Sequence, residues 1–156
     1  MYKQGFTLIE TILYIALLGM LLSGVIVASY QLIDSTRKVD SKNITQQEGN
    51  FVIRKIDWAL NGMTTVTNPI ASVPYASTLD VVSNSATHVV IRFNSVTHKI
   101  EMSENGSAYQ SLTTDAASTT AIQFHYIPRN GTAPAGMEAS TTINGFVFYT
   151  KKYIRK

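Results

Sequence analysis

The chain contains no cysteine, which removes a disulfide frame, a thiolate metal site and a thiol nucleophile together. Charge is absent from one long stretch: from Thr11 to Ile33 there is no Asp, Glu, Lys or Arg. Proline is absent from Phe6 to Asn61, so nothing there forbids a single long helix. A strong bias of either sign is also missing. Lys and Arg number 13 against 10 acids, for a formal charge of +3, and a broad basic nucleic-acid face would need more. At 156 residues the chain is long enough for an anchor and one globular domain, and for little else.

What is present begins with that uncharged stretch. At about 1.5 Å per helical residue, Thr11 to Ile33 reaches roughly 35 Å, enough to cross a hydrocarbon core of about 30 Å. It is apolar on every side and so reserves no face for water. We read it as a membrane helix. Glu10, at its edge, stands out. A carboxylate there is costly without a partner and is a functional candidate for that reason. A plainer account is a helix-entry charge, since Thr7 and Glu10 have capping-box spacing. The residues alone leave both accounts open.

The hexapeptide Gly5-Phe6-Thr7-Leu8-Ile9-Glu10, behind a short polar leader containing Lys3, resembles the processing site of type IV pilins and pseudopilins. The resemblance covers Gly5 to about Ile33 closely, and only general architecture beyond. It implies cleavage after Gly5 by a prepilin peptidase, which also methylates the new amino terminus on Phe6. It further implies that Glu10 guides assembly with other pilin or pseudopilin subunits at an inner-membrane platform. Removing residues 1–5 takes away Lys3, leaving 12 Lys and Arg against the 10 acids. Within the apolar run, Gly19 with Ser23 and Gly24 with Ala28 have the small-xxx-small spacing that lets helices approach closely. Glycine is also simply common in membrane helices, so this reading carries equal weight with a bland one. Many major pilins close a carboxy-terminal loop with a disulfide, which this chain cannot do.

After Ile33 the pattern turns amphipathic. Val39, Ile44, Phe51, Val52, Ile56, Ala59 and Leu60 recur at helical spacing among charged residues, with Trp58 expected at the edge of the packed stripe. The reading is one helix from near Phe6 to near Asn61, stopped at Gly62. Residues from Gly62 to Thr87 read as a long loop with extended pieces around Val66 and from Leu79 to Val82. The period then becomes two. Val89, Ile91 and Phe93 share a strand face, as do His98, Ile100 and Met102 after a turn at Asn94-Ser95. Asn105-Gly106 is a turn signal, followed by a short strand near Tyr109 to Leu112. Ile122, Phe124 and Tyr126 alternate in another strand ending at Pro128. Arg129 to Gly145 reads as a second long loop, and Phe146 to Ile154 as the last strand. The expectation is an α+β fold: a long N-terminal helix packed on a C-terminal antiparallel β-sheet, in a pilin-like layout. Its segments are a leader over 1–5, a membrane and assembly half of the helix over 6–33, an amphipathic half over 34–62 and a β-rich head over 63–156.

Signs of other chemistry are thin. His88, His98 and His125 fall on different strands with no carboxylate at ligand spacing, so no metal site and no cofactor are expected. No nucleophile elbow frames any serine. Asn105-Gly106-Ser107 and Asn130-Gly131-Thr132 match a glycosylation pattern, yet both read better as turns. The tail from Lys151 to Lys156 points only weakly to nucleic acid or lipid phosphate, and a solvated strand face explains it better. The expected role is structural and not enzymatic: a minor subunit of a type IV pilus-like filament or a type II secretion pseudopilus, with a resemblance in cysteine content, length and strand layout to the larger minor pseudopilins, the J-type in particular. A competence pseudopilin and a surface adhesin remain alternatives. The membrane lipid of a bacterial inner membrane would hold the helix, with the head outside the cytoplasm. The count of Lys3 before the run against Arg37, Lys38 and Lys42 after it argues for the reverse orientation. The resemblance is the reason to set that count aside.

Overall fold

The computed structural model describes residues 7–61, 63–83 and 86–154. One helix, α1 (Leu8–Asn61), precedes nine strands: β1 (Met63–Asn68), β2 (Tyr75–Ala76), β3 (Thr78–Ser83), β4 (His88–Asn94), β5 (Lys99–Glu104), β6 (Gln110–Ser111), β7 (Thr119–Ile127), β8 (Gly136–Ile143) and β9 (Phe146–Tyr153). The expected helix stop, Gly62, lies outside the described residues. The chain divides into two compact units, residues 1–42 and 43–156.

In the first unit every described residue is solvent-exposed except half-buried Glu10. The helix is long and apolar enough there to cross a membrane, and none of its apolar window is covered by protein. Three of its hydroxyls bond back to the helix: Thr11 Oγ1 donates to Leu8 O at 2.8 Å, Ser23 Oγ to Met20 O at 2.8 Å and Ser29 Oγ to Val25 O at 2.9 Å. Such back-bonding lets polar side chains sit in an apolar run without an outside partner.

The second unit pairs the last turns of α1 with two antiparallel sheets, in the orders β1-β3-β4-β5-β6 and β2-β7-β8-β9. The α+β class is as expected, but the single sheet of the sequence reading is two. Both segments read as loops supply the difference. The stretch before Thr87 holds β1, β2 and β3, and the stretch after Arg129 holds β8. The extended pieces expected around Val66 and from Leu79 to Val82 are full strands, β1 and β3, and in β3 the buried residues are Leu79 and Val81. In β8 the inward set is Met137, Ala139, Thr141 and Ile143, and two of these are too small or too polar to signal a strand by hydropathy. His98 is not on a strand face; it sits in the β4–β5 turn with φ 52°.

The helix buries Thr45, Gly49, Val52, Ile56, Ala59 and Leu60. Steps of three and four residues place them on one stripe. Against that stripe lie Leu79, Val81, Val89, Ile91, Ile100 and Met102 of the first sheet and Ile122, Phe124, Met137, Ala139 and Ile143 of the second, in one core. Each full burial of a Val, Ile, Leu, Phe or Met side chain contributes about 1.5–3 kcal/mol. Val39, Ile44 and Phe51, expected on the stripe, are exposed, and Trp58 is about half exposed. The stripe instead runs through Thr45 and Gly49.

Candidate functional site

The helix start carries the first candidate group. Gly5 and Phe6 lie outside the described residues. From Thr7 the backbone enters the helix, with Glu10 N donating to Thr7 O at 3.1 Å and Thr11 N to the same oxygen at 3.3 Å. Glu10 is the one acidic residue of the first turn, where the unpaired N–H groups favour negative charge. Tyr14, one turn later, donates its phenol to Glu10 Oε1 at 3.1 Å. Among the described residues no other hydroxyl donates to this carboxylate. A neutral hydrogen-bond donor offsets only part of what a carboxylate loses on leaving water, so in an apolar setting this group calls for a cation.

Gly19, Ser23, Gly24 and Ala28 are all exposed. A Cβ added at Gly19 or Gly24 would meet nothing within 4 Å, so no contact among the described residues requires glycine at either position. With about 3.6 residues per turn, Gly19 and Ser23 lie on one face and Gly24 and Ala28 on another, roughly 140° away. Glu10 precedes Ala28 by five whole turns and shares its side. The small residues thus lie in two exposed pairs, one of them in line with the carboxylate.

The second cluster crosses the outer face of the β2-β7-β8-β9 sheet. Tyr75, His125, Glu138 and Lys151 stand opposite one another along consecutive strand pairs. The Tyr75 and His125 rings stack at 4.3 Å and 5°. Glu138 takes Lys151 Nζ at 2.9 Å on one oxygen and meets His125 Nδ1 at 3.1 Å on the other. Lys151 first, and then His125, hold the Glu138 carboxyl down at about 2. Glu138 reciprocally raises Lys151, with help from Tyr153. Tyr149 is raised by desolvation and then by the same carboxylate. Glu138 meets Lys151 on one side and His125 on the other, so the row ties four strands together.

The first sheet has similar pairs on its outer face. His88 Nε2 meets Asp80 Oδ1 at 2.6 Å. Arg92 binds Glu101 through Nε and Nη2 while its guanidinium lies 3.6 Å from the Tyr109 ring centroid. Lys99 pairs with Asp115 at 2.8 Å, and it is chiefly Lys99 that lowers the Asp115 carboxyl. Two histidines thus have carboxylate partners that sequence spacing did not reveal. Asp80 and Glu138 reach them across strand pairs, and register, unlike spacing, is invisible in a single sequence. Among the described residues no three His, Cys, Asp or Glu side chains come together to hold a metal ion.

Residues 1–26 match the family model of the prokaryotic N-terminal methylation motif. No curated protein and no solved structure matches the chain.

Proposed function

We propose that this chain, marked at its amino terminus as a type IV pilin-like protein, is a minor structural subunit of a pilus-like filament or of a type II secretion pseudopilus. The motif implies processing by a prepilin peptidase and assembly with other pilin subunits. In the proposed sequence of events the helix is held in the inner membrane with the head outside the cytoplasm. The peptidase cuts after Gly5 and methylates Phe6, and the helix then packs among its neighbours. The observation that carries the reading is the methylation motif on a helix whose apolar window no described residue covers. A helix of this kind leaves the membrane only if other apolar helices replace the lipid.

Support also comes from what Gly5 offers the peptidase, since a residue without a side chain lets the backbone pass close to a catalytic cleft. Co-expression with a prepilin peptidase should shorten the chain by residues 1–5 and add a methyl group to Phe6. Gly5→Val should block both changes while leaving the helix in the membrane. Intact mass reads the two events separately. The same uncut mass for wild type and variant would overturn the proposal.

A further inference from the structure

Besides Asn61-Gly62, whose glycine lies outside the described residues, the sequence has three Asn-Gly pairs: Asn105-Gly106, Asn130-Gly131 and Asn144-Gly145. The pair is chemically special because glycine puts no side chain in front of its own backbone nitrogen. That nitrogen can attack the asparagine side-chain carbon when both groups are free to rotate together. The three sites share this local chemistry but are held very differently.

Asn144 is locked. Its Nδ2 donates to Thr45 Oγ1 at 2.9 Å and to Ala116 O at 3.4 Å, and its Oδ1 accepts from Ser118 N at 2.9 Å. Asn105 is held as well. Its Oδ1 accepts from His88 N at 2.8 Å while its own N–H donates to His88 O at 2.7 Å. Both asparagines sit at left-handed backbone angles, φ 51° and 48°, in the tight turns that close the β5 and β8 hairpin ends. Asn130 differs on each count. All three asparagines are exposed, but no hydrogen bond engages the Asn130 side chain among the described residues, and Asn130 is not among the residues at left-handed angles. Its backbone carbonyl accepts from Ala133 N at 3.0 Å, which shapes a small loop around it. Arg129 Nε donates to Gly131 O at 3.3 Å. That contact holds the Arg129 cation at the carbonyl of the following peptide, one residue from Asn130.

We infer that Asn130 is a modification site of the head, converting spontaneously to aspartate and isoaspartate while Asn105 and Asn144 are protected by the fold. The Gly131 nitrogen forms a bond to Asn130 Cγ and gives up its proton. The Cγ–Nδ2 bond breaks, and ammonia leaves with that proton. Water then opens the cyclic imide at either carbonyl. One opening restores the normal chain with a carboxylate; the other routes the main chain through Cβ. Either product places a new negative charge next to Arg129. No oxidant, metal or enzyme is needed, and solvent water is the only co-reactant.

The experiment uses the full chain in detergent micelles at mildly alkaline pH, with timed samples digested and mapped by mass spectrometry that separates aspartate from isoaspartate. In the folded protein the Asn130 peptide should convert at least about tenfold faster than the Asn105 and Asn144 peptides, since each of those must first release two or more hydrogen bonds. In denaturant the three rates should converge. Gly131→Val should halt conversion at Asn130 and leave the other two sites unchanged. Equal rates at the three sites in the folded protein would overturn the inference, and so would an Asn130 advantage that survives in denaturant.

Discussion

Gly49 and Phe148 are in direct contact: a Cβ built on Gly49 would stand 2.2 Å from Cζ of the Phe148 ring and 2.3 Å from its Cε2. Both residues belong to the second unit, where the helix lays its stripe on β9. Two effects of Gly49→Ala therefore oppose one another. Alanine favours a helix interior by about 1 kcal/mol over glycine, while forcing extra volume into a packed contact costs about 1–3 kcal/mol. At this distance the ring must leave its place, so overpacking wins. Gly49→Ala should lower the thermal midpoint of the head. In a Phe148→Ala background the same change should be neutral or stabilising, a coupling that a double-mutant cycle measures directly. Additive effects would show that the ring swings aside at no cost.

The Glu138 row makes stability depend on acid in a definite direction. Its carboxyl titrates at about 2 in the fold against an ordinary 4.5, chiefly through Lys151 and next through His125. A depressed carboxyl contributes stability that is fully present above the ordinary value and is lost as pH falls through the folded one. Stability should therefore decline from about pH 4.5 down to about pH 2. Glu138→Gln should flatten that part of the curve and change little at neutral pH beyond the loss of a partly exposed pair, about 0–1 kcal/mol. Denaturant unfolding across that pH range, wild type against variant, checks it; parallel curves would mean that other carboxylates carry the acid sensitivity.

Thr119 offers a gain. Its side chain is fully buried, and its hydroxyl has no hydrogen-bond partner among the described residues. An unsatisfied buried hydroxyl costs about 1–3 kcal/mol. Valine has nearly the same shape and suits a strand, so Thr119→Val should raise stability by about 1 kcal/mol, read as a higher denaturation midpoint at unchanged slope. A loss of stability would reveal a bound water that the hydroxyl needs.

Hydropathy exposed the elements whose inward residues are large, as in α1, β3, β4 and β7, and missed β8, where small or polar residues separate the large ones. β8 packs Ala139 and Thr141 inward, and nothing in those letters distinguishes a buried strand from a polar loop. The helix stripe shows the converse. Ile44 and Phe51 are apolar and exposed, Thr45 and Gly49 are neither large nor apolar and are buried, because the reach of the sheets decides which helix face is covered. The Glu138 row depends on register across four strands and could not be read before β8 was known. The amino-terminal motif lies at the other extreme. Gly5, Phe6 and Glu10 were legible within one contiguous hexapeptide, and their roles are proposals that cleavage tests for the first two and assembly for Glu10.

Glu10 is the residue on which that test turns. Its carboxylate has one hydroxyl, from Tyr14, on a helix turn that is apolar before and after it. Were this turn packed among neighbouring helices, with water excluded, an unpaired carboxylate would cost several kcal/mol. A hydrogen bond of the Tyr14 kind returns about 1.5–3 kcal/mol at best. The balance requires a cation, and under the proposed assembly that cation is the methylated amino group of Phe6 in the next subunit. The pair would act as a register device, since a subunit seated out of step leaves both charges unmatched. Buried pairs add little to stability in general, so the contribution claimed is to specificity. Glu10→Leu should leave membrane insertion and cleavage after Gly5 intact while lowering incorporation into sheared filaments. Glu10→Gln is the sharper variant, because it keeps the shape and the Tyr14 contact and removes only the charge. It should fail to assemble as Glu10→Leu does. Assembly of Glu10→Gln at the wild-type level would leave Glu10 as a helix-entry charge worth about 0.3–1 kcal/mol, and the register device would be gone.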